Sequence, residues 1–501
     1  MISEKREKSA GGRSGRLRNL NRALTAVQTV TAVTFGVRLA ALNLLPAGYM
    51  AAYSIAVLMA GVLFRITADR KGAALAAAAA SVLITGGLLY ALGTVNRLDD
   101  TLQKVSTAAG QETVEMAVAV PAGSTMETLA DISGGRTGYI RNGEGVEAVK
   151  AVLEETLLSP PEYEEYDDVV SLADALLTGE AAAILVNSEF IRILSGEETY
   201  EGFSDKVRVL YTIEVNGAEN PEGKPKTGDQ EGEEDPGGNG SSGDKTAFVV
   251  YISGIDTFGS INVKSRSDVN ILMAVNRESG CVQLVSTPRD SYLQLPGRGM
   301  DKLTHAGLYG ADCSREVLET LYGIPIDYYV RVNFSGFEEI IDLMGGIDVY
   351  SEYDFTVEPV KHYTAGYNHL SGIEALAFAR ERHAFAEGDV QRGTNQMEVI
   401  RGVIAGAASA DLITGGREML GKIGECVQTD IPPEVIYSLM RQQLSGGTEW
   451  QGESFTVRGT DSREVTYSVP GAALYVLLPD MEDVAEAKEL LETVLEGDTD
   501  T

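Results

Sequence analysis

The chain has 501 residues, with 73 Asp and Glu against 41 Lys and Arg and a formal net charge of −32. That balance excludes a general nucleic-acid binder, which would present a basic patch. Three scattered cysteines, Cys281, Cys313 and Cys426, exclude a disulfide framework or a zinc site. The length leaves room for more than one domain.

Residues 1–22 form a basic tail, with Lys5, Arg6, Lys8, Arg13, Arg16, Arg18 and Arg22. Three apolar stretches follow: Ala23–Leu45, Tyr49–Ile66 and Gly72–Val95. Each approaches the roughly 20 residues that cross a bilayer, so residues 23–95 are expected to be three transmembrane helices. Lys and Arg gather before the first span and between the second and third. The positive-inside rule then puts the tail in the cytoplasm and everything after Val95 outside, as a multi-pass cell-membrane protein. Arg38 interrupts the first span and should snorkel to an interface or face the bundle.

Residues 96–215 read as a small α/β accessory domain. Glu115–Val120 and Ala181–Val186 are strand-like, and Gly145–Leu158 has helical periodicity. Val169–Glu180 is a helix closed by Gly179. This order is similar to one lobe of the periplasmic solute-binding proteins, but ligands in that fold are clasped between two lobes and only one is visible, so a structural spacer is the preferred reading. Residues 216–245 have no apolar period and read as a disordered acidic linker.

Residues 246–495 read as a second α/β domain. Strands are expected at Phe248–Ser253, Asn270–Val275, Cys281–Ser286, Tyr328–Val332 and Gly346–Tyr350. Helices are expected at Cys313–Tyr322, Phe337–Met344, Ile373–Arg380, Arg392–Ala408, Tyr437–Leu444 and Val484–Leu495. The mix predicts layers of helix around a central sheet. Cys281, in an apolar strand, reads as core; a Cys313–Cys426 bridge has no local support.

Acids and arginines recur where these strands stop, which is where α/β sheets place ligand sites. Gly254-Ile255-Asp256 ends the first strand, Arg266-Ser267-Asp268 opens the second, and Pro288-Arg289-Asp290 follows the third. Lys302 and His305 come next, then Arg380, Arg382, Asp389, Arg392 and Gln396. Arg392 and Gln396, at i and i+4, share a helix face. Converging guanidiniums repel one another unless an anion joins them, and Arg grips phosphate with a bidentate fork. Asp256 and Asp268 tolerate a phosphate nearby when a Mg²⁺ ion lies between. The alternative is a set of surface salt bridges, each worth little.

Order and spelling add to this. Gly254-Ile255-Asp256, Arg266-Ser267-Asp268, Pro288-Arg289-Asp290, Gly345-Gly346-Ile347-Asp348-Val349, Arg380-x-Arg382 and Asp389-x-x-Arg392-x-x-x-Gln396 occur in sequence. Together they resemble the LytR-CpsA-Psr family of bacterial cell-wall enzymes, from near Thr246 to near Ala405. The resemblance implies an α/β/α layered domain with a central mixed sheet. It implies a phosphotransferase that moves an anionic glycopolymer, such as teichoic acid or capsule polysaccharide, from a polyprenyl-pyrophosphate lipid to peptidoglycan, with Mg²⁺ assisting. It assigns Asp256 and Asp268 to the metal, and Arg266, Arg289, Lys302, Arg380, Arg382, Arg392 and Gln396 to the pyrophosphate. Asp268, Arg289 and Asp389 would carry the chemistry. Asp389 either orients Arg392 or acts as base, and Asp290 is expected to cap a turn.

The lipid tail needs an apolar tunnel. Candidates are Phe334, Phe337, Ile340, Ile341, Leu343, Ile400, Val403 and Ile404, which serve equally as ordinary core. His305 reads as a hydrogen-bonding wall residue. The same site with water as acceptor would be a lipid-pyrophosphate hydrolase. A non-enzymatic envelope sensor is a third reading, against which stands the short cytoplasmic tail. A solute receptor built on residues 115–215 is a fourth.

Overall fold

The computed structural model describes residues 2–67, 74–107, 112–196, 200–216, 245–255, 260–386, 388–407, 416–446 and 450–497. Residues 217–244 of the expected linker and Asp256 fall outside these residues.

Three helices open the chain: α1 (Ile2–Ala41), α2 (Ala47–Thr67) and α3 (Ala74–Thr107). All three are long and apolar enough to cross a membrane. α3 runs past the expected end of its span, through the polar stretch to Thr107. The reason is tertiary. Arg38 Nε donates to Asn96 Oδ1 at 2.9 Å and Arg38 Nη2 pairs with Asp99, so the extension is tied back to α1. Arg38 therefore faces the bundle.

The accessory domain contains β1 (Thr113–Pro121), β2 (Arg136–Ile140), α4 (Val146–Thr156), β3 (Glu162–Tyr166), α5 (Val169–Thr178), β4 (Ala183–Asn187), α6 (Ser188–Ser195), α7 (Phe203–Lys206) and β5 (Val207–Asn216). Its sheet has the order β3-β2-β4-β1-β5. β1 lies antiparallel to β4 and β5, whereas β2 is parallel to β3 and β4. Asp168 starts α5 by accepting from the Ser171 amide, and Gly179 ends it at φ +79°.

The C-terminal domain begins with β6 (Ala247–Ile255), β7 (Ser267–Asn276), β8 (Cys281–Ser286), β9 (Tyr292–Gln294) and β10 (Met300–Lys302). Next come α8 (Leu303–Ala306), α9 (Ala311–Tyr322), β11 (Tyr328–Asn333), α10 (Phe334–Leu343), β12 (Ile347–Ser351), β13 (Phe355–Val357), β14 (Lys361–Tyr363) and β15 (Gly366–Leu370). The chain continues with α11 (Gly372–Arg380), α12 (Asp389–Ala407), α13 (Gly416–Cys426), β16 (Val427–Thr429), α14 (Pro433–Gly446) and β17 (Gln451–Thr456). β18 (Gly459–Val465), β19 (Ala473–Pro479) and α15 (Met481–Glu496) close it.

Six strands form the central mixed sheet, in the order β16-β11-β6-β7-β8-β17. Alternation gives the sheet two faces. Val249, Tyr251, Leu272, Ala274 and Val285 join α9 and α15 in one core cluster. Their neighbours Val250, Ile252, Met273 and Val282 point the other way, towards α12 and α14.

The two domains are joined as well as tethered. Leu308, Val469 and Leu474 of the C-terminal domain are buried in one cluster with Leu172, Ile191 and Phe203 of the accessory domain. All three cysteines are free. Cys281 is half-buried at the start of its strand rather than core, and Cys313 and Cys426 do not pair.

Candidate functional site

The polar end of the site collects at one edge of the central sheet. β6 and β11 run parallel, with Ser253 opposite Arg331 and Ile255 opposite Asn333, so their C-terminal ends coincide. β7 is antiparallel to β6, which brings the start of β7, and hence Asp268, to the same end. β8 pairs antiparallel with β7 through Ile271 and Ser286, so Arg289 follows there too.

Three helices are then laid over this end. Asn333 caps α10 by accepting from the Gly336 amide at 2.9 Å, which starts the helix three residues before the expected Phe337. Ser371 and Glu374 form a capping box on α11, with the Ser371 amide donating to Glu374 Oε2 at 2.9 Å. Gly372 lets α11 touch α10, because a Cβ there would lie 2.1 Å from the Glu338 carbonyl oxygen. That contact brings Arg380, in the last turn of α11, over the Phe334 ring at 4.8 Å. α12 starts at Asp389, not at the expected Arg392, with an acid in its first turn where the helix dipole favours one. Gly393 lets it cross the end of β8, since a Cβ there would meet Ser286 Oγ at 2.8 Å.

Between this sheet face and α10, α12 and α14 lies a cavity of about 830 Å³. Asp268, Arg289, Arg380, Arg382, Arg392 and Gln396 line it, and so do Ser253, Gly254 and Asn333. Seven of the eight apolar candidates line it; Leu343 does not. Val250, Ile252, Val330 and Val332 from the strands, with Leu439, Met440 and Trp450 further on, also form the wall. The strand residues were legible as alternating positions. The α14 residues carried no sequence signal that distinguishes wall from core.

Arg289 Nη1 donates to Asp268 Oδ2 at 2.9 Å, and Arg289 Nε lies 3.5 Å from Asp290. Thr304 Oγ1 donates to Asp268 Oδ1 at 3.3 Å, a long bond that leaves this oxygen weakly engaged. Asp290 does not cap a turn. Its buried carboxylate lies 3.3 Å from Lys302 Nζ, which compensates a charge that burial would otherwise leave unpaired. Asp389 accepts from Arg392 Nη2 at 3.0 Å and lies 3.6 Å from Arg382. Gln396 Nε2 donates to the Ala379 carbonyl at 3.3 Å, binding α12 to α11. His305 Nδ1 lies 2.6 Å from Asp301 Oδ1, both buried, as a wall residue would.

Two of the candidate anion-binding residues lie elsewhere. Lys302 is buried beside Asp290 and does not line the cavity. Arg266 is also absent from the wall; its Nε lies 3.5 Å from Glu189 of the accessory domain.

The electrostatics ask for an anion. Burial works against the charge of Arg289, but Asp268, Asp290 and Asp389 together raise its pKa above the ordinary guanidinium value. Arg392 is lowered instead: burial and the nearby Arg289 outweigh its pairing with Asp389. Arginine keeps its proton in proteins, so this marks a buried charge short of counter-charge, which a phosphate would supply.

Among the described residues no three His, Cys, Asp or Glu side chains gather into a metal cluster. Asp268 offers a single carboxylate with a weakly held oxygen. Mg²⁺ commonly takes one or two carboxylates and completes its shell with phosphate oxygens and water, so the donor set fits that ion beside a bound pyrophosphate.

The chain is similar to named proteins over this region. It is 36% identical over 180 residues, 36% of its own length, to a polyisoprenyl-teichoic acid–peptidoglycan teichoic acid transferase TagU of Bacillus anthracis. To the corresponding TagT transferase of Bacillus subtilis it is 33% identical over 198 residues, 37% of its length. It spans 59% and 61% of those two relatives, less than two thirds of each. The crystal structure of B. subtilis TagU aligns at 28% identity and a TM-score of 0.41, covering 50% of this chain and 97% of that one. The model of the LytR_cpsA_psr family matches residues 212–487, more than half of the sequence, and the chain belongs to that family.

Proposed function

We propose that the chain is a membrane-anchored phosphotransferase. It moves an anionic glycopolymer from a polyprenyl-pyrophosphate carrier to peptidoglycan, with Mg²⁺ assisting. One observation carries the reading: an apolar cavity of about 830 Å³ whose wall includes Arg289, Arg380, Arg382 and Arg392. Hydrocarbon fits the apolar part, and the guanidiniums suit the pyrophosphate. The names of the TagU and TagT relatives support the polymer and the acceptor.

The acceptor hydroxyl attacks the phosphorus that bears the glycan. An oxygen–phosphorus bond forms, the phosphoanhydride breaks, and the lipid phosphate leaves, taking up the proton that the hydroxyl gives up. Charge grows on that leaving phosphate, and catalysis is mostly positioning and charge stabilisation. The half-buried Arg289 and the buried Arg392 are prealigned for this by Asp268 and Asp389. Asp389 holds two arginines at once, which supports its orienting role over that of base. Asp268, with Asp256, would hold Mg²⁺, which neutralises phosphate charge when bound. The basic N-terminal tail lies in the cytoplasm and residues after 95 lie outside, where the polymer is attached.

The test is direct. The full chain in detergent is incubated with Mg²⁺, a polyprenyl-pyrophosphate sugar and a peptidoglycan oligomer, and the products are followed by mass spectrometry. A sugar phosphate joined to peptidoglycan is expected. Phosphate release without an adduct would replace the transferase by a hydrolase, and binding without turnover would point to a carrier or sensor.

A further inference from the structure

The accessory domain meets the C-terminal domain where the strand bearing Asp268 begins. The Thr113 amide donates to the Asn262 carbonyl at 2.8 Å, and the Lys264 amide donates to the Thr113 carbonyl at 2.8 Å. The buried Lys264 ammonium pairs with Glu144 at 2.7 Å. Two residues on, Arg266 Nε lies 3.5 Å from Glu189 Oε2. Two residues further, Asp268 lines the cavity. One short segment thus runs from the accessory sheet, past Glu189, into the site.

Glu189 is itself fixed. It is the second residue of α6, and its amide donates to the capping Asn187 side chain at 3.0 Å. Its Oε1 accepts from Arg192 Nη1 at 2.9 Å, and the residue is only 4% exposed. A carboxylate so deep keeps its charge only with cations beside it. Arg266 is one of them.

Resting on the function proposed above, the geometry points to Glu189 as a positioning residue that competes with the pyrophosphate for Arg266. At 3.5 Å the Glu189 contact is a charge pair rather than a hydrogen bond, and a phosphate oxygen offers the same guanidinium the same attraction. Arg289, Arg380, Arg382 and Arg392 already line the cavity; Arg266 does not. To reach an anion there it gives up or shares Glu189. Binding is therefore coupled to the accessory domain, and the coupling is reciprocal: a pyrophosphate in the site loosens the Glu189 contact by the factor by which that contact weakens the pyrophosphate.

The experiment uses the full chain in detergent micelles, with geranylgeranyl pyrophosphate as the binding probe and the transfer assay for KM and kcat. Glu189→Gln keeps the side chain's shape and removes its charge. It should bind the probe roughly fivefold more tightly, the worth of one partly screened ion pair. KM should fall by the same factor while kcat holds. Arg266→Gln should erase that gain, so that the double variant matches Arg266→Gln alone. Unchanged or weaker binding in Glu189→Gln, or a gain that persists without Arg266, overturns the assignment. If Glu189→Gln fails to fold, Glu189→Asp serves, because its shorter side chain keeps the charge that Arg192 needs while withdrawing it from Arg266. Arg289→Ala separates the two proposals. Lost binding there with no change in Glu189→Gln defeats only the role of Glu189, whereas intact binding in Arg289→Ala defeats the pyrophosphate site itself.

Discussion

The Tyr437 hydroxyl donates to Asp99 Oδ1 at 2.7 Å, joining the helix that walls the cavity to the polar end of α3. Asp99 also takes Arg38, so one carboxylate collects α1, α3 and α14. Arg441 of α14 donates to the Asn43 carbonyl at 2.8 Å in the turn between the first two helices. Leu439 and Met440 of the same helix face the cavity, and Met440 packs against the cluster of Leu39, Leu44 and Tyr437. The cavity is thereby held beside the three apolar N-terminal helices.

Tyr437→Phe removes one hydrogen bond to a carboxylate and should cost about 2 kcal/mol. Asp99→Ala should cost more, since it also leaves Arg38 without its carboxylate. Thermal unfolding in detergent ranks the two. Equal losses would mean that Arg38 is well served by Asn96 alone.

Arg289→Ala should lower transfer by about 10²–10³-fold, the usual loss when a prealigned charge stabiliser is removed. It also leaves Asp268 without the partner it has at 2.9 Å. Steady-state kinetics decide this, and full activity in the variant would remove the enzyme reading.

Asp301 ties the segment before α8 to the loop at Ser468. Its carboxylate accepts from the Ser468 amide at 2.7 Å and the Lys302 amide at 2.8 Å. Burial raises its pKa, but His305 and Ser468 outweigh burial and hold it below the ordinary 3.8. A depressed folded pKa adds stability that is whole above the unfolded value. That stability should therefore be lost as pH falls below 3.8 and through the folded value. Asp301→Asn should flatten this acid limb, read from urea midpoints across a pH series.

Ile400→Trp adds bulk to the cavity wall. It should raise KM for a long polyprenyl carrier about tenfold while sparing a short-chain analogue, because apolar pockets discriminate by fit. A paired KM series over chain lengths checks it, and an equal rise for both chains would place the effect elsewhere.

Local information determined a good deal of this protein. Apolar runs near twenty residues marked the three N-terminal helices, and strand alternation marked β6, β7, β8 and β11. Asp268 and Arg289 stood in motifs at strand ends, and the resemblance of the ordered motifs to the LytR-CpsA-Psr family added Arg380, Arg382, Arg392 and Gln396, before any were seen to share a wall. Periodicity records which residues face inward and not what they face. It could not show whether Ile400 and Val403 touch other side chains or a void, and it gave Leu343 the same standing as Ile341. Only the tertiary structure decided that α14 completes the cavity, that α3 extends to meet Tyr437 across 338 residues of chain, and that Arg266 turns to Glu189. Those are contacts between elements far apart in sequence. Their energy depends on the joint geometry of two surfaces, and neither surface is written in the residues of one segment.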